Sequence, residues 1–210
     1  METNAWYTAI RGNEFDYLAL MGALGGYRRP RDKVTALIRR GEIIRVKKGL
    51  YVLGPGLRTG AVSREILANL MYGPSYVSLE YALSLHQLIP ERVETVTSVT
   101  LKKTKAFDTP LGRFAYRNVK KHYYRCGQSL RTLQDGRGYL LACPEKAIAD
   151  KVYFSSGLHT VDDMRTWLFS DLRIDPEEFI RLNRYLFTEF ADLESKHCLR
   201  LLAKLAKEQV

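Results

Sequence analysis

The sequence offers no membrane-length apolar run, no cysteine framework and no catalytic signature. Its 210 residues include only three cysteines, Cys126, Cys143 and Cys198, widely separated and without a C-x-x-C pair. That pattern excludes a zinc ribbon, a redox dithiol and a disulfide scaffold, and suits a reducing compartment. No apolar stretch approaches the ~20 residues of a membrane-spanning helix, and "METNAWYTAI" has no signal-peptide core. A cytoplasmic protein without membrane association is expected. Phosphate-cradling G-x-x-x-x-G-K-[ST] and G-x-G-x-x-G loops are missing, as is the G-x-S-x-G nucleophile elbow. "GPGLRTG" is glycine-rich but continues into no Lys-Ser/Thr, so it reads as a link.

Histidine is also scarce. His86, His122, His159 and His197 do not cluster, and His122 with Cys126 is half of a zinc site at best. His86 shares an apolar face with Leu79, Ala82 and Leu83, which suits a structural histidine. Asp162 and Asp163 beside His159 read as helix caps. No metal and no cofactor is expected.

What the chain has is positive charge, unevenly placed. Its net charge is +10. Residues 1–60 carry 11 basic and 5 acidic side chains, net +6; residues 61–150 carry 13 and 8, net +5; residues 151–210 carry 9 and 10, net −1. A polyanion partner is expected, on the first two thirds of the chain.

The stretch "RRPRDKVTALIRRGEIIRVKKGLYVLG", residues 28–54, concentrates that charge on an ordered pattern. Residues 14–24 before it predict a helix ended by Gly25-Gly26. Pro30 suits a first helical position and Asp32 the positive end of the dipole. Val34, Leu37 and Ile38 make an apolar stripe, and Gly41 a stop. At about 100° per residue, Asp32, Thr35, Ala36 and Arg39 face the other way, with Lys33 and Arg40 at the rim. Small or hydrogen-bonding groups there can approach base edges while cations meet phosphates. "EIIRV-KKG-LYVL" then predicts a hairpin turning at Gly49. Helix, basic helix and basic hairpin follow the order of a winged helix–turn–helix.

The fold expected is therefore α+β. An N-terminal winged helix–turn–helix domain, residues 1–55, precedes a mixed α/β C-terminal domain, residues 60–210, with a small sheet and several helices. Residues 54–60 are the link. Helices are predicted over 62–71, 78–89, 143–154, 161–169, 176–190 and 195–207. Strands are predicted over 94–101, 113–119 and 138–142, with 102–112 a basic loop. One constellation looks catalytic: Glu145, Lys146 and Asp150, which a metal-dependent nuclease could use. All three lie in one short helix, and Lys146–Asp150 has the spacing of an ordinary i, i+4 ion pair, so a structural role is expected.

Three segments, taken together and in order, resemble the AbiEi family of antitoxins from type IV toxin–antitoxin systems. "GPSYVSLEYALSLHQLIPERVETVTSVTLKKTKAFDTPLGRFAYRNV" is similar to that family's central signature. "ACPEKAIADKVYF" is similar to its "PEKAxxDxxY" element, and residues 29–54, ending near "GLYV", resemble its N-terminal winged helix. Gln87 departs from the Gly of "HGLIPE", and Cys143 stands where Thr or Ser is usual. A Gly at position 87 could take positive φ. The similarity spans about residues 14–155.

The resemblance implies a non-enzymatic repressor that binds double-stranded operator DNA, with inverted repeats, upstream of its own operon. It implies opposition to a nucleotidyltransferase-like toxin as functional partner, with no stable complex required. A stand-alone regulator with a ligand- or protein-sensing C-terminal domain is the alternative. The expected DNA-binding residues are Arg28, Arg29, Arg31, Lys33, Thr35, Arg39, Arg40, Arg45, Lys47 and Lys48, with Thr35 and Arg39 at the bases. Lys102, Lys103, Lys105, Lys120 and Lys121 form a second basic set. They would extend the DNA footprint, serve as the antitoxin face, or protect a sheet edge.

Overall fold

Residues 6–208 are described in the computed structural model. They form an α+β protein with two sheets and ten α-helices among the described residues. None of these helices is long and apolar enough to cross a membrane.

The first sheet has strands β1 (Glu14–Asp16), β2 (Ile43–Lys47) and β3 (Leu50–Leu53), in the order β1-β3-β2 and antiparallel throughout. Between β1 and β2 lie α1 (Tyr17–Ala23) and α2 (Pro30–Arg39). The helix expected from residue 14 starts three residues late. Phe15 is buried and stacks on Tyr51 across the β1–β3 ladder, 6.2 Å between ring centroids. Asp16 then ends the strand by capping α1, its carboxylate accepting from the Ala19 amide at 2.8 Å.

The second sheet has six strands where three were expected: β4 (Ser75–Val77), β5 (Val96–Thr100), β6 (Lys105–Thr109), β7 (Gly112–Asn118), β8 (Gln128–Thr132) and β9 (Gly138–Ala142). Their order is β6-β7-β5-β4-β9-β8, with β5/β7 and β4/β9 parallel. Two of the three missed strands share a cause. β6, expected to be loop, and β8 are edge strands with no fully buried residue, so they lack the apolar alternation that marks a strand. β4 is only three residues long and buried throughout.

Helices α3 (Arg64–Met71), α4 (Leu79–Leu85) and α6 (Pro144–Tyr153) pack with this sheet, and the four-residue α5 (Lys121–Tyr124) follows β7. A helical layer completes it: α7 (Val161–Thr166), running on as a wider turn to Asp171, then α8 (Pro176–Arg181), α9 (Arg184–Leu193) and α10 (His197–Glu208). The single helix expected over 176–190 breaks at Leu182–Asn183. Asn183 caps α9 by accepting from the Tyr185 amide, and its own amide donates to buried Glu145 at 2.8 Å.

Apolar side chains collect in two clusters. The smaller joins Phe15, Leu20, Leu24, Val34, Leu37 and Ile43. The larger fills the space around the six-stranded sheet. β3 is buried on both faces and contributes to each: Tyr51 and Leu53 to the smaller, Leu50 and Val52 to the larger. Further ties run alongside. The buried Glu14 carboxylate pairs with Arg137 and accepts from the Ser63 amide at 2.5 Å, and Asn13 donates to the Gly60 carbonyl at 3.0 Å.

Candidate nucleic-acid interface

The position of α2 follows from its ends and its buried stripe. Pro30 opens it, Asp32 sits in the first turn and Arg39 in the last. Val34 and Leu37 are buried, while Ile38 is 37% exposed, so the anchoring stripe is narrower than its sequence spacing suggests. Gly41, at φ +70°, closes the helix. Its amide donates to Ile38 and the Glu42 amide to Leu37, the paired bonds of a Schellman turn. Gly54 then lies so close that a Cβ there would sit 1.8 Å from the Gly41 carbonyl oxygen. Backbone contact thus fixes the end of β3 against the end of α2.

The exposed side of α2 carries Arg31, Asp32, Thr35 and Arg39. The Thr35 hydroxyl turns back toward the Arg31 carbonyl at 3.5 Å. Among the described residues, Arg28, Arg31, Lys33, Arg39, Arg45, Lys47 and Lys48 meet no acid within ion-pair distance. Two do: Arg29 lies 4.0 Å from Asp32, and Arg40 lies 2.7 Å from Glu42. Lys33 leans over the Tyr27 ring, 4.6 Å from its centroid. The hairpin projects Arg45 and Lys48 into solvent around Gly49, at φ +85°. A register shift between Arg45 and Lys47 marks a bulge in β2.

Lys47 is aimed elsewhere. Its ammonium donates to the Met71 carbonyl at the end of α3 and stands 5.7 Å from the Phe107 ring centroid. Lys105 lies 4.9 Å from that same centroid, and Lys102 lies 5.1 Å from the adjoining Tyr72 ring. Partial burial, then the charges of Lys102 and Lys105, hold the Lys47 pKa below its usual range. Topology explains the convergence. Parallel β5 and β7 end on the same side of the sheet, and antiparallel β6 begins there. Lys102 and Lys105 therefore meet the hairpin that carries Lys47, while Lys103 is exposed in the turn between β5 and β6. Lys120 and Lys121 follow β7 at this end, but Lys120 is tied to the buried Glu194 carboxylate at 2.8 Å, which His122 also approaches at 3.2 Å.

Glu145, Lys146 and Asp150 are all buried, the last two with no exposure. Lys146 Nζ lies 3.1 Å from Asp150 Oδ1 and 3.0 Å from the Tyr123 ring centroid. Tyr76 and Ser78 hydroxyls donate to Asp150 Oδ2 at 3.0 and 2.6 Å. Burial pulls the Lys146 pKa down while Asp150 opposes the shift. The sequence spacing identified this pair but not its depth. The depth was not signalled, since four of the ten residues of α6 are charged: Glu145, Lys146, Asp150 and Lys151. His86 Nε2 is 2.8 Å from the Ala142 carbonyl, and Asp163 caps α7. No group of three or more His, Cys, Asp or Glu side chains suited to a metal ion occurs among the described residues.

Compared with known protein families and with curated proteins, the chain matches none.

Proposed function

We propose that this protein is a DNA-binding repressor of its own operon and the antitoxin of a type IV toxin–antitoxin system, as its resemblance to the AbiEi family implies. α1 and α2 form the helix–turn–helix, α2 is the recognition helix, and the β2–β3 hairpin is the wing. The observation that carries the reading is the set of exposed cations with no acid partner among the described residues before and along α2 and on the hairpin: Arg28, Arg31, Arg39, Arg45 and Lys48. Cations held without acid partners are suited to phosphate. The placement of β1 before the two helices, completing a three-stranded sheet with the hairpin, adds to it. Thr35 and Arg39, on the exposed side of α2, are suited to base edges. The C-terminal sheet and helices would oppose a nucleotidyltransferase-like toxin.

The test is a salt-titrated shift assay on the upstream promoter fragment, comparing wild type with Arg31→Ala/Arg39→Ala. Promoter-selective binding, with a log–log salt slope lower by about two in the variant, supports the reading. Equal, weak binding of wild type to every duplex would remove the repressor half. Coexpression with the neighbouring toxin gene tests the other half: growth must depend on an intact C-terminal region.

A further inference from the structure

The sequence separates Lys47, in the first basic stretch, from Lys102 and Lys105 by more than fifty residues. The fold brings them together around two touching rings, Tyr72 and Phe107, whose centroids are 5.6 Å apart. We propose that Lys47, Lys102 and Lys105 form one phosphate-binding site, which grips a phosphodiester of the bound duplex beyond the stretch read by α2. This rests on the DNA-binding reading above and extends it to the six-stranded sheet.

Three observations support it. None of the three ammonium groups meets an acid among the described residues, whereas nearby Lys120 is neutralised by Glu194. The cations come from two different sheets, so lysine protection of the β6 edge explains Lys105 alone. Gathering like charges is unfavourable until an anion enters, and the aromatic faces offset only part of that repulsion. Lys47 is fixed by its bond to the Met71 carbonyl, so the site needs the hairpin seated on the sheet. A phosphate there would be held by both sheets at once.

The same chemistry would accept free phosphate, and the experiment separates the sources. Fluorescence anisotropy would follow full-length protein binding to the promoter duplex and to a scrambled duplex of equal length across a salt series. The variants are Lys102→Gln/Lys105→Gln, Lys47→Gln, and, as a control, Lys207→Gln on the exposed face of α10. The double variant alters only exposed side chains, so it keeps the test sound should Lys47→Gln disturb folding.

The salt slope is expected to fall by about one, the share of a single phosphate, in the double variant and by up to about one in Lys47→Gln, alike on both duplexes, with Lys207→Gln unchanged. An unchanged slope in the double variant would overturn the proposal while leaving the recognition helix untouched. An unchanged slope together with thermal stabilisation of wild type, but not of the double variant, by millimolar inorganic phosphate would also overturn it, giving the site to a free anion. If wild type shows no promoter preference, yet the slopes fall as stated, the operator reading fails and the phosphate site stands.

Discussion

Lys146 and Asp150 face each other 3.1 Å apart across one turn of α6, with neither side chain reaching solvent. Such a pair costs much desolvation, and its removal is asymmetric: losing one partner strands the other. The surroundings are arranged to prevent this. Lys146 also donates to the Tyr123 carbonyl at 3.1 Å, and Asp150 accepts from Tyr76 and Ser78.

Lys146→Met should therefore destabilise the fold by about 3–5 kcal/mol, because it leaves a buried carboxylate without its cation. Lys146→Met/Asp150→Asn should recover much of that loss, since Asn still accepts from Tyr76 and Ser78. Urea unfolding of wild type and both variants checks this. A single variant within about 1 kcal/mol of wild type would refute it.

Gln87 occupies the left-handed region, at φ +59°. Its amide donates to Ser84 and the Leu88 amide to Leu83, the same Schellman pattern that Gly41 makes at the end of α2. One helix thus ends on the residue suited to that conformation and the other does not. Gln87→Gly should stabilise the protein by about 0.5–1 kcal/mol, the left-handed penalty less the added freedom of glycine when unfolded. A melting temperature that stays level or falls would contradict it.

Glu194 supplies a pH dependence. Burial alone would raise its pKa, but the hydrogen bonds and charges of Lys120 and His122 outweigh that and hold it below the usual carboxylate range. The folded state therefore prefers the ionised form. That stability is present above the unfolded carboxyl's titration, near about pH 4.3, and is lost as pH falls through the lower folded value. Glu194→Gln should cost about 1 kcal/mol at neutral pH. Melting curves of the two proteins should converge below about pH 4. A constant offset across that range would mean the charge is not what matters.

Legibility in the sequence followed burial. α2 and the hairpin were readable because Val34 and Leu37 pack inward and Pro30, Gly41 and Gly49 mark the boundaries. β6 and β8 were not, because an edge strand such as "KAFDT" has no apolar face to reveal it. Gln87 and Cys143 both fall at helix ends. Gln87 takes the left-handed turn after α4, and Cys143 stands at the N-cap of α6 without a side-chain capping bond. The cationic residues of α2 were identifiable by spacing. The meeting of Lys47 with Lys102 and Lys105 was not, since it depends on which strand ends share a side of the sheet.

β3 is a party wall. Leu50 and Val52 belong to the room on one side, Tyr51 and Leu53 to the room on the other. A chain cut after residue 55 would keep the wall and lose one of the rooms, leaving a greasy strip of Val46, Leu50 and Val52 facing water. At about 1.5–3 kcal/mol for each large apolar side chain exposed, such a fragment would cling to its own copies. The basic surface of α2 and the hairpin is thus a fixture of the whole building.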